Sequence, residues 1–178
     1  MTETYPFIDH LERLASRENR GALAALRRGL GQPLGAVPAM YPYVVPWLPA
    51  EARPWQEAAY YLVAALFSLH PESGGTGNLG ASFRLAAARE TPASTEEERI
   101  SPLERRFTAL LAAHPDDLPD RLRQAIGYLA SKDIPVDWRQ LFQDLPRWGH
   151  PSRHVQRQWA SAFWGRERQE NSSENQED

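Results

Sequence analysis

The chain has 178 residues, 42% of them hydrophobic, enough to bury one sizeable core. The absence of cysteine excludes disulfides, thiolate chemistry and Cys-based zinc sites, and the longest apolar stretch, residues 58–69, is too short and too broken by tyrosine and serine to span a bilayer. The net charge of −3 conceals an acidic end, because residues 167–178 hold five acids against Arg168 and the remainder is formally +1.

No charged-then-apolar signal region opens the chain, so a soluble cytoplasmic protein without membrane contact is expected. In FIDHLERLA, Ile8, Leu11, Leu14 and Ala15 recur at helical spacing. Leu23, Leu26 and Leu30 do the same before Gly31 supplies a stop, so two short helices are predicted. Between Pro33 and Pro54, four more prolines interleave with Tyr41, Tyr43 and Trp47. So many residues without an amide donor exclude a central strand or helix, and the aromatics predict an ordered wrap.

WQEAAYYLVAALFSLH, from Trp55 to His70, is apolar on nearly every face and is the candidate for the centre of the core. A glycine-rich loop follows, with Asn78 placed to cap the next helix. Ser101-Pro102-Leu103-Glu104 has the form of a capping box with proline at the first helical position. Asp117 or Asp116 is expected to start the helix LPDRLRQAIGYLAS, Asp137 with Gln140 the next, and Ser152 the last. The organisation read from this pattern is all-α, about eight helices in one domain over residues 1–166, with possible lobes at 1–95 and 96–166. From about Arg166 onward the polar, acidic composition predicts a disordered tail.

Of the 20 basic residues only Lys132 is lysine. Arginine's planar fork suits phosphate contact and base stacking, although a GC-rich genome produces the same bias. On the last helix, Val155, Trp159, Ala162 and Phe163 share one face, while Arg153, Arg157 and Trp164 gather on the opposite one. The first set reads as core. The two arginines form a paired basic edge able to straddle successive phosphates, and Trp164 is placed either to stack on a base or to dock on a neighbouring helix. Arg20 and Arg27, seven apart, return to nearly one angle, whereas Arg121 and Arg123 do not share a face and one of them is expected to pair with Asp117 or Asp120.

Gly75, Gly77 and Gly80 have G-x-G-x-x-G spacing, but a helix rather than a strand precedes them, so the dinucleotide reading is rejected. Glycines entering a helix leave free amides for a phosphate, with Arg84 one turn further in. His150 and His154 have metal-like spacing, but a helix start between them argues against one shared ligand face. Asp116, Asp117 and Asp120 read as caps rather than magnesium ligands, and no nucleophile-and-base set is visible. No cofactor, metal or catalytic residue is predicted.

Taken together, RGALAALRRGLG (20–31), AAYYLVAALFSLHP (58–71), GNLGASFR (77–84), the long segment from LERRFTALL through IPVDW to DLPRW (103–148), and VQRQWASAFW (155–164) resemble the CasB family, running in family order across most of the chain. That family is the small subunit of the type I-E CRISPR surveillance complex, Cascade. The resemblance implies a two-lobed helical bundle without catalysis, lying beside the guide RNA with a second copy of itself and other Cascade subunits. It would help to hold the guide–target hybrid and the displaced DNA strand. Carried over residue by residue, the basic surface falls on Arg27, Arg28, Arg84, Arg121, Arg123, Arg153 and Arg157. The rival reading is a helical adaptor that docks a protein through aromatics between Tyr41 and Trp47 and never touches nucleic acid.

Overall fold

Local signals in the sequence become helix ends in a computed structural model, which describes residues 5–90 and 101–165. Nine α-helices occur among these residues, and no strand: α1 (Pro6–Ser16), α2 (Arg20–Arg27), α3 (Tyr41–Val44), α4 (Pro54–Leu69), α5 (Leu79–Arg89), α6 (Pro102–Leu111), α7 (Leu118–Ser131), α8 (Trp138–Asp144) and α9 (His154–Trp164). The expected boundary between lobes and the expected acidic tail lie outside the described residues.

Three of the predicted caps are made by side chains. Asn78 Oδ1 accepts from Ala81 N at 3.3 Å, Ser101 Oγ from Glu104 N at 3.1 Å, and Asp137 Oδ1 from Gln140 N at 3.0 Å. Each satisfies one amide that the first helical turn leaves unpaired. Two other expectations are corrected. Asp117 occupies the N-cap of α7 but makes no side-chain cap bond. Ser152 does not cap α9: the helix begins two residues later, behind Arg153, whose φ of 50° is left-handed. Its hydroxyl is instead taken up by the two flanking imidazoles, described below.

The proline-rich segment also differs from its reading. One α-helical turn, α3, forms between two 3₁₀ turns, Pro38–Met40 and Val45–Trp47. Pro38, Pro42 and Pro46 each sit in the first turn of their own short element, where no amide donor is needed, and Pro49 lies outside any element, so the run tolerates helical turns that it would forbid in a longer helix.

α4 is the central element, with Ala59 and every residue from Tyr61 to Ser68 buried. It packs against α2, α7 and α8, and the core is one cluster extending from Phe7 to Trp159. α5 and α9 form the most extensive helix pair. The glycines explain why. A Cβ at Gly80 would stand 2.0 Å from the carbonyl oxygen of Trp159, so only glycine lets these backbones approach. Gly75 similarly abuts the backbone of Val136 and Asp137, and Gly77 has φ +81°. The G-x-G-x-x-G spacing is therefore a packing device, entered from helix α4.

Polar bridges tie distant helices together. Arg139 on α8 reaches α1, with Nη2 2.7 Å from both Asp9 Oδ1 and Glu12 Oε2. Buried His70 places Nε2 2.7 Å from the Ile134 carbonyl, which requires that nitrogen to carry the proton.

Candidate nucleic-acid interface

The seven arginines singled out from the sequence fall into three chemical situations. Arg27, Arg84 and Arg153 each donate to a backbone carbonyl far along the chain: Ser68 O at 2.7 Å, Gly165 O at 2.8 Å and Leu111 O at 2.6 Å. All three carbonyls lie at or next to the end of a helix, where the backbone acceptors lack intrahelical partners and the dipole favours a cation. Arg123 pairs with Asp120 at 3.4 Å, one of the two pairings its spacing offered. Arg28, Arg121 and Arg157 are exposed and have no hydrogen-bond or ion-pair partner among the described residues.

Spatially, six of the seven form two groups. The Arg123 guanidinium lies beside Gly31, where a Cβ would stand 3.2 Å from Nη1, and so it belongs with Arg27 and Arg28 at the end of α2. Arg84 reaches Gly165 at the end of α9, which brings it to the helix that carries Arg157, with Arg153 at its N-cap. Beside the first group runs a groove of about 860 Å3, from Gly29–Leu34 and Trp55 to Trp148 and Gly149. Its floor is apolar, built from Ala59, Leu62 and Leu66, and its rim carries Asp116, Asp120 and Arg123. Trp55, missed as a surface group in the sequence, stands 49% exposed at its edge. Its position at the first turn of α4 was the available signal, since end residues of a core helix extend past its neighbours.

The Arg106 guanidinium lies 4.6 Å from the centre of the Tyr128 ring, whose hydroxyl donates to Glu90 Oε1 at 2.8 Å. Burial first, then the Glu90 carboxylate, pushes the Tyr128 hydroxyl up to about 12.

On α9 the core face is as read: Val155 and Trp159 are buried and Phe163 packs on Phe107. Trp164 takes the docking alternative, with Nε1 donating to Glu104 Oε1 at 2.9 Å. Glu104 is therefore not the reciprocal half of a capping box. His150 and His154, for which no shared ligand face is expected, come together with ring centres 5.1 Å from each other. Their Nδ1 atoms lie 2.8 and 3.1 Å from the one Ser152 hydroxyl, because the left-handed Arg153 turns the chain back before α9 begins. Among the described residues no group of three His, Asp or Glu side chains could hold a metal.

Residues 22–164 match the family model for CRISPR-associated protein Cse2. The chain belongs to the Cse2 family. A Cse2 protein of Thermus thermophilus is 37% identical over 161 residues, covering 89% of this chain and 88% of that one. The crystal structure of Thermus thermophilus CasB superimposes with a TM-score of 0.75 at 35% identity, over 92% of this Cse2 chain and all of that one. A chain of a CRISPR RNA-guided surveillance complex superimposes with a TM-score of 0.66 at 27% identity, covering 88% of each. The CasB likeness and the all-α fold both stand on these matches.

Proposed function

We propose that this Cse2 chain is a non-catalytic, nucleic-acid-binding structural subunit of a cytoplasmic CRISPR RNA-guided surveillance complex. In antiviral defence it stabilises the guide RNA–target DNA hybrid and the displaced strand, beside other Cascade subunits and a second copy of itself. Family membership and the likeness to a surveillance-complex chain support the assembly. The observation that carries the nucleic-acid role is the set of exposed guanidinium groups, Arg28, Arg121 and Arg157, left without a carboxylate among the described residues. Base pairing supplies sequence choice in such complexes, so a subunit of this kind needs backbone-directed contacts, which unpaired arginines provide.

The test is target binding by the reconstituted complex at several salt concentrations. Substituting Arg28, Arg121 or Arg157 with alanine should weaken binding and flatten the salt dependence by about 0.7 log units for each single-strand phosphate released. An unchanged affinity and slope in all three variants would remove the nucleic-acid role. The adaptor reading is favoured by one observation, the exposure of Leu34, Tyr41, Val45 and Trp55 within one segment. It predicts that Trp55→Ala impairs assembly while the arginine variants do nothing.

A further inference from the structure

A second recess, of about 490 Å3, opens between α5, α8 and α9. That volume falls within the roughly 300–1,000 Å3 typical of small-molecule sites, so one base fits. It is walled by Asn78, Gln140, Gln158 and Ser161, with Gly77 and Ala162 between them, and carries neither a formal charge nor an aromatic ring. Internal hydrogen bonds fix two of its amides. Asn78 Oδ1 is engaged by Ala81 N, which leaves the Nδ2 donor. Gln140 Nε2 is engaged by Asp144 Oδ1 at 2.9 Å, which leaves the Oε1 acceptor. Gln158 and Ser161 have no side-chain partner among the described residues and add both kinds of group.

We propose that this recess receives the hydrogen-bonding edge of an unpaired nucleobase whose phosphate lies at Arg157, an inference that rests on the nucleic-acid role above. A wall that offers both a donor and an acceptor suits a base edge, which carries both kinds of group and is read by carboxamides in adenine. A phosphate offers acceptors only, and the Gln140 carbonyl would repel it. Arg157 supplies the complementary anion site. It stands one turn before Ser161, about 6 Å along the helix axis and about 40° around it. One nucleotide carries an anion and a neutral edge of this kind within that reach. Without an aromatic wall the base is held by its edge rather than by stacking.

The experiment is fluorescence anisotropy of the full chain with oligo-dA, oligo-dT and an abasic strand of equal length, across a salt series. The wild type should bind at least one base-bearing strand more tightly than the abasic strand. In Gln158→Ala/Ser161→Ala, which changes two exposed positions of α9, that preference should fall about fivefold, the scale of one neutral hydrogen bond, with the salt slope retained. A preference untouched by the double substitution, while Arg157→Ala flattens the slope, overturns the recess and leaves the subunit role standing. Strand binding that neither substitution moves, or none at all, overturns both.

Discussion

The Trp159 indole donates its Nε1–H to Asp144 Oδ2 at 2.7 Å, and both side chains are buried. Gln140 Nε2 serves the other carboxylate oxygen, so α9 is joined to α8 through one acid that is 3% exposed. Removing the donor alone should cost about 1.5–3 kcal/mol, the range for hydrogen bonds to charged groups. Trp159→Phe is expected to show that loss in urea unfolding, and Trp159→Ala about 3–5 kcal/mol because it also opens a cavity. Equal stability of Trp159→Phe and the wild type would mean that the bond contributes nothing net.

The pH dependence should carry two opposite signatures. Burial raises the Asp144 carboxyl above its ordinary 3.8, against the lowering effects of Trp159, Gln140, Arg147 and His154. The folded state then holds the proton more tightly, so this stabilisation is complete below pH 3.8 and is lost as pH rises through the folded value. His10, stacked on Trp47 at 4.8 Å, is lowered below 6.5 by burial first and by Arg13 second. Its contribution is present above pH 6.5 and is lost as pH falls through its folded value. Urea titrations should therefore show His10→Phe flattening the stability profile just below pH 6.5, and Asp144→Asn flattening it above pH 3.8. Wild-type slopes in both variants would exclude these assignments.

Two glycine-to-alanine changes should separate packing from propensity. At Gly80 the new methyl meets the Trp159 carbonyl, which is backbone and cannot rotate away. Gly80→Ala should destabilise by about 1–3 kcal/mol, the cost of overpacking, and should loosen α5 from α9 in hydrogen exchange. Gly21 lies in α2, with its nearest neighbour at an ordinary 3.8 Å. Gly21→Ala should be neutral or stabilise by up to about 1 kcal/mol. Thermal melts that ranked the two the other way round would contradict the close α5–α9 approach.

Local chemistry is legible wherever it acts within one turn. Asn78, Ser101 and Asp137 satisfy amides three residues away, and that spacing is written in the chain. The burial of α4 follows from an apolar surface on nearly all sides, and the core face of α9 from a 3.6-residue period. Ser152 departs from its expected capping role because its hydroxyl has competing acceptors and donors on both sides. Only the left-handed turn at Arg153 shows that the imidazoles of His150 and His154 prevail.

The sequence by itself determined the helical class, the central helix, most helix starts and the family likeness of this arginine-rich chain. Which arginines remain available was decided by tertiary structure alone. Arg27, Arg84 and Arg153 find their carbonyls 41, 81 and 42 residues away, whereas Arg28, Arg121 and Arg157 meet none among the described residues. Helical spacing sets the angle at which a guanidinium leaves its helix, but the group that answers it belongs to another helix. Its position depends on how the whole core packs.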